Sequence, residues 1–409
     1  MALPLLARVT QQFDRTRLAD PSGAVAAGLR ATLAGKLRPG AQVAITAGSR
    51  GIQNLVAMTR AAVDTVKALG AEPFIVPAMG SHGGATGEGQ KALLADLGIS
   101  EASMGCPVRS SVAVEEIGRT PGGVPVYLDR HALHADGIIA INRVKLHTIF
   151  RGDVESGLCK ILAVGLGKHK GAQQIHKIGV ASIVVESARV ILAKAPVIAG
   201  VAVLENSLDE TMEVHVVPPA AFEATDVALL KRCWRLLPRV PFDPLDVLVV
   251  DEMGKNISGT GMDTNVIGVG GRVGGKMMPG TPFVSTVVAL GLTAETHGNA
   301  NGIGLADLTT RRLVNSIDYK STYTNVITTR LWAGGRLPLV FETDREAIQV
   351  AVGDTPLSEL RFVRIPNTLH LEALEISEAL LPEAEKLGLP VVRPPRPLEF
   401  DADGRIRPF

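Results

Sequence analysis

Residues 41–98 alternate two kinds of segment, and this alternation constrains the fold more than any other feature of the chain. AQVAITAGSR (41–50) and EPFIVPAMG (72–80) are short apolar runs that open into glycine-containing loops. NLVAMTRAAVDTVKALG (54–70) and GEGQKALLADLG (87–98) instead read as helices stopped by glycine. Strand, helix, strand, helix in that order predicts parallel strands, because parallel neighbours need a crossover long enough to hold a helix. A third apolar run, Ile138-Ile139-Ala140-Ile141 within DGIIAINRVK, suits a strand buried on both faces. Loops at the carboxyl ends of such strands are where sites form.

At 409 residues the chain is long enough for two cores. Prolines 238, 241 and 244 mark LLPRVPFDPLD (236–246) as the linker, after which the pattern restarts with the strand DVLVVDEMG. The expectation is an α/β protein of two domains: a parallel-sheet βαβ domain over 1–240 and a second α/β domain over 245–409, with the site in the cleft between them. A helical stretch is expected up to Lys36, a hairpin over 112–128, and a proline-rich tail, PVVRPPRPLEF, packed along a surface.

The net charge of +1 and the absence of a basic run argue against nucleic acid and anionic membrane surfaces as partners. The hydrophobic fraction is 46%, yet charges interrupt the long apolar runs; 180–204 contains Glu186, Arg189 and Lys194, so it does not read as a membrane span. An N-terminus without a basic start or cleavage site, and three cysteines without a CxxC pair, lead us to expect a cytoplasmic protein.

Candidate chemistry concentrates in 142–179, which holds His147, Lys160 and His176. Lys160 and His176 are sixteen residues apart, about 160° out of phase on one continuous helix at roughly 100° per residue. The Gly165-Leu166-Gly167 break between them predicts two helices, about 154–164 and 170–177, folded back so that both side chains reach one cavity. Two more candidates follow the first two strands: Arg50 in TAGSRG and His82 in MGSHGGATGEG. In a parallel sheet they emerge at the same edge as His147. Beside apolar Cys159, Ile161 and Leu162, Lys160 reads either as a desolvated nucleophilic amine or as an ordinary helix lysine. The remaining histidines, at 131, 134, 169, 215, 297 and 370, read as ordinary surface or core residues. There is no HExxH and no carboxylate cluster at ligand spacing. GLGKHKG lacks the GxxxxGK[ST] frame of a phosphate loop. GVGGRVGGK (268–276) offers backbone N–H groups with Arg272 and Lys276, which suits either an anion-wrapping loop or a merely mobile one.

Taken together, Arg50, His82, His147, Lys160 and His176, in the motifs GSHGGAT, VKLHTIFRG, ESGLCK and QQIH, resemble the nickel-pincer-nucleotide lactate racemase family and its broader group of 2-hydroxyacid racemases and epimerases. The resemblance implies a pyridinium mononucleotide with two sulfur groups, bonded covalently to Lys160, with nickel completed by His176. It implies His82 and His147 as the acid/base pair on opposite faces of the substrate, and Arg50 as a contact to cofactor or substrate carboxylate. In that scheme hydride leaves Cα and returns to its other face, while the two histidines remove and restore the hydroxyl proton. Partners would be a small 2-hydroxy acid and separately supplied cofactor-making proteins. In the second half, SGTGMDTNVIG resembles the family's segment ending in Asp-x-Asn, here Asp263 and Asn265, but Gly268 and Gly271 stand where lactate-specific members carry a glutamine and a lysine. Arg272 and Lys276 are the candidate substitutes for substrate binding, with Lys255, Asn299, Tyr319, Lys320, Tyr323 and Asn325 as further polar candidates. One-sided dehydrogenation or elimination with the same cofactor, or a non-enzymatic nucleotide carrier or sensor, are the competing readings.

Overall fold

The structure is a computed structural model that describes residues 2–49, 51–148, 150–178, 181–268 and 280–409, with backbone alone for 176–178, 181 and 328–329. The chain divides into two compact units, Asp14–Leu237 and Met1–Phe13 with Pro238–Phe409. The boundary falls inside the proline-marked stretch, but the first thirteen residues join the later unit rather than the 1–240 domain expected from the sequence. The helical stretch expected up to Lys36 is instead a strand, β1 (Leu5–Thr10), followed by the helix Pro21–Leu33. Asp20 caps that helix by accepting from the Gly23 N–H, and Pro21 sits where its missing donor costs nothing.

The Asp14–Leu237 unit is built on a sheet of β2 (Gln42–Ala47), β3 (Glu72–Pro77), β6 (Gly137–Arg143), β7 (Val197–Glu205) and β8 (Thr211–Val217) in the order β3-β2-β6-β7-β8. The expected hairpin forms as β4 (Val114–Arg119) and β5 (Pro125–Asp129), paired antiparallel. The strands β3, β2, β6 and β7 run parallel and β8 is antiparallel, so the first four deliver their carboxyl ends to one edge. Strand residues alternate between two apolar layers, as a sheet covered on both faces requires. Val43, Ile45, Ile139 and Ile141 pack with Met58, Val63 and Val66 of the helix Leu55–Ala68. Ala44, Ile138 and Ala140 pack instead with Val184 and Ile191 of Ala181–Lys194 and Leu229 of Phe222–Leu236.

The other unit carries β9 (Leu245–Met253), β10 (Val284–Leu292), β11 (Leu308–Thr310), β12 (Leu339–Phe341), β13 (Phe362–Ile365), β14 (Ala373–Ser377) and β15 (Val391–Pro397). With β1 they form one mixed sheet in the order β12-β11-β10-β9-β13-β14-β1-β15. The strands from β12 to β13 are parallel, whereas β14, β1 and β15 pair antiparallel. The tail expected to lie along a surface is thus an edge strand. Its prolines are tolerated there because an edge strand leaves one row of donors unused.

Candidate functional site

Three loops leave the carboxyl edge of the first sheet and carry the candidate side chains. His82 lies on the exposed loop after β3, and its Nδ1 is 2.6 Å from the Ser49 hydroxyl on the loop after β2. These two loops are therefore in direct contact. Close approach also fixes the base of the His82 loop: the Gly80 N–H donates to the Gly165 carbonyl at 3.2 Å, and a Cβ at Gly165 would lie 2.6 Å from the Ala78 oxygen.

The loop after β6 holds His147 half-buried and is cross-braced by one buried carboxylate. Glu155 accepts from the backbone N–H of His147 at 2.7 Å and from that of Gly152 at 3.3 Å, and it pairs with Arg151 at 3.4 Å. Burial pushes the Glu155 carboxyl above the usual range, opposed by the His147 N–H and by Arg151. Arg151 also donates to the His147 carbonyl at 2.8 Å. The His147 ring stacks on Phe150 with centroids 3.9 Å apart, and the Lys160 amine sits 5.3 Å from the centre of the same ring. His147 and Lys160 are thereby brought to one aromatic surface, and the amine donates further to the Glu155 carbonyl at 3.2 Å.

Lys160 stands on a helix that begins later than its sequence suggests, at Leu158 rather than near Val154. One α-turn, Leu158–Lys160, continues directly into a π-helical turn, Ile161–Gly165. Such wide turns inside helices recur at functional positions. The start is set from a distance: Asp226 on Phe222–Leu236 accepts from the backbone N–H groups of Leu158 and Cys159 at 2.9 and 2.8 Å. Gly157, at φ 88°, makes room for that carboxylate; a Cβ there would lie 2.1 Å from Asp226 Oδ1. Burial raises the Asp226 carboxyl to about 6 despite those two donors. The next helix, Lys168–Ile178, contains His176, whose side chain lies outside the described residues.

Arg50, Arg272 and Lys276 likewise lie outside the described residues. Asp263 and Asn265 are described and buried, and they serve local structure: Asp263 Oδ1 accepts from both the backbone and the side-chain N–H of Asn265, at 2.9 and 2.8 Å. Glu155, Asp226, Phe150 and Lys168 escaped the sequence reading. The first lies in ESGLCK and the last in GLGKHKG, so each stood inside a motif scanned for another residue. Asp226 has no local signal at all, because its partners are far away in the chain. Among the described residues, no three His, Cys, Asp or Glu side chains are grouped to hold a metal ion. No described helix is long and apolar enough to cross a membrane.

The sequence of 32–188 matches the family model described as the lactate racemase N-terminal domain. That segment holds the sheet edge, both candidate histidines, Lys160 and His176. Among solved structures, the lactate racemase apoprotein from Thermoanaerobacterium thermosaccharolyticum matches with a TM-score of 0.52 at 12% identity, over 90% of this chain and 99% of that one. This likeness extends the α/β architecture shared with a lactate racemase to both units. A crystal structure of a protein from Thermotoga maritima matches with a TM-score of 0.49 at 16% identity, over 66% of this chain and 71% of that one. No curated protein matches the sequence.

Proposed function

We propose that this protein is a racemase or epimerase of a 2-hydroxy acid that works with a lysine-tethered nickel-pincer nucleotide. The observation that carries the proposal is the meeting of His147 and Lys160 on Phe150, inside a segment of the lactate racemase N-terminal type. The residues suit such a cofactor. Lys160 offers a half-buried amine on a helix start held by Asp226, and His176 lies on the following helix. A group that brings its own sulfur and carbon ligands needs one protein nitrogen to complete a tetragonal nickel site, and an imidazole suits that place.

Bound through Lys160, the nucleotide would supply an acceptor for the hydrogen on the substrate's Cα. The protein's own part is proton management and orientation. His82 and His147 stand on separate loops of one sheet edge, and imidazole is a side chain able both to accept and to donate a proton, so one is assigned to take the hydroxyl proton and the other to restore it. Glu155 and Arg151 fix the backbone on either side of His147, which limits the wandering of its ring. Arg50 is assigned to the substrate carboxylate, for which a guanidinium group is well shaped, and Arg272 and Lys276 remain candidates for substrate binding from the glycine-rich segment 268–276. The replacement of the glutamine and lysine of lactate-specific members by Gly268 and Gly271 favours a 2-hydroxy acid other than lactate.

Protein produced together with the cofactor-making enzymes should carry a covalent mass adduct that disappears in Lys160→Ala, bind nickel, and exchange the Cα hydrogen of a hydroxy acid. No adduct on such protein would sink the tether. His82→Ala and His147→Ala should each abolish interconversion; survival of turnover in one of them would favour one-sided dehydrogenation or elimination. Cofactor binding without turnover across a hydroxy-acid panel would favour a carrier.

A further inference from the structure

We infer that Lys168 is a positioning residue that locks the His82 loop to the segment running from Lys160 to His176. The inference deepens the functional reading above and rests on it for the role given to His82. Lys168 is fully buried, an expensive place for an ammonium group, and it opens the helix Lys168–Ile178 in a left-handed conformation at φ 53°. The ammonium donates to the Pro77 carbonyl at 2.5 Å and to the Gln90 side-chain oxygen at 3.0 Å, and it forms an ion pair with Asp129 Oδ2 at 3.4 Å.

The destinations of those contacts separate positioning from mere ballast. Pro77 is the last residue of β3, where the His82 loop begins. Gln90 passes the connection on: its amide nitrogen donates to the Gly80 carbonyl at 2.9 Å and to the His82 carbonyl at 3.3 Å. Lys168 therefore holds the start of the loop directly and its tip through one side chain. Asp129, fully buried at the end of β5, balances the charge and uses its other oxygen to cap Ala132 N–H at 2.9 Å. Its backbone N–H donates to the Leu166 carbonyl at 2.7 Å, just before Lys168. The buried amine therefore couples the two segments beside the direct Gly80–Gly165 hydrogen bond, and it alone reaches the loop tip through Gln90.

The test uses Lys168→Met, which keeps the stem and removes the ammonium, and Gln90→Leu, which leaves the Lys168–Asp129 pair intact. In protein without cofactor, imidazole nitrogen NMR, assigned with a His82→Asn sample, should show the His82 signals displaced in both variants. Amide exchange across 78–86 should quicken by about tenfold or more while that of Phe222–Leu236 keeps its wild-type rate. In loaded protein, Gln90→Leu should lower kcat by about tenfold or more with KM changed less than about threefold, since a misplaced acid/base group harms the reaction more than binding. Unmoved His82 signals and unchanged exchange of 78–86 in a folded variant overturn the inference, even where thermal stability falls. Should Lys168→Met not fold, Gln90→Leu decides alone. Failure of the wild-type loaded protein to turn over any hydroxy acid would count against the functional reading, while the cofactor-free measurements still decide the coupling.

Discussion

Both units bury charge, but they aim it differently. In the unit of Pro238–Phe409 the buried groups face one another. Arg364 reaches Asp251 through two donors at 2.8 and 2.7 Å and Glu375 at 2.8 Å, while Arg8 and Arg393 also pair with Glu375. The network ties β9, β13, β14, β1 and β15 together and holds the chain end, through the Arg407 carbonyl at 2.6 Å and the Phe409 ring beneath Arg8. In the unit of Asp14–Leu237, Glu155, Asp226 and Lys168 direct much of their bonding at main-chain groups of loops and helix starts that carry candidate residues. A closed ion network fastens strands; a buried charge aimed at loop backbone sets where another side chain stands. The second arrangement falls on the loops and the helix start that carry His82, His147 and Lys160.

Breaking the closed network should have the largest effect on folding and little on the site. Arg364→Met strands the buried Asp251 carboxylate and takes from Glu375 one of its three arginines, so denaturant unfolding should show a loss of about 3 to 5 kcal/mol. The His82 and His147 imidazole signals should nevertheless stay in place. Movement of those signals would dissolve the contrast between the units.

Asp226 gives the next effect, and its sign is opposite to that of an ordinary ion-paired carboxylate. Folded Asp226 holds its proton at about 6 against an ordinary 3.8, so it favours the folded state below about pH 4, and that contribution is lost as the pH rises through about 6. The difference corresponds to about 3 kcal/mol at most. Asp226→Asn should flatten that part of the stability profile while keeping one acceptor for the Leu158–Cys159 N–H groups. An unchanged slope between pH 4 and 6 would contradict it.

Gly157→Ala should cost about 2 kcal/mol, since it forces a side chain into the left-handed region and against Asp226. The same change should reduce the Lys160 adduct, read by intact mass. The smallest stability effect is expected of Glu155→Gln, about 1 kcal/mol, because an amide oxygen can still accept from His147 N–H. Its mark should be kinetic, a fall in kcat without loss of the adduct; loss of both would assign Glu155 to cofactor binding instead.

Much of the fold was legible in the sequence because period and punctuation are local. The runs at 42–47, 72–77 and 137–143 became parallel strands of one sheet, and the glycine-centred turn at 112–128 became a hairpin. The strand β1 was not legible, since six residues of weak alternation acquire meaning only between β14 and β15, whose partner residues lie more than 360 positions later. The proline-bearing β15 was hidden for the same reason: whether a proline is tolerable in a strand depends on whether that strand lies at an edge.

The candidate site divides along the same line. Sequence alone brought out His82, His147, Lys160 and His176, because their motifs are short and chemically unusual, and it indicated one sheet edge for the loops. Tertiary structure decided that His147 and Lys160 share the Phe150 ring, that Asp226 starts the lysine's helix, and that Lys168 turns inward to brace the His82 loop. Residue type and spacing express which groups can react. Burial, which makes a carboxylate or an ammonium seek particular partners, exists only once distant segments have packed.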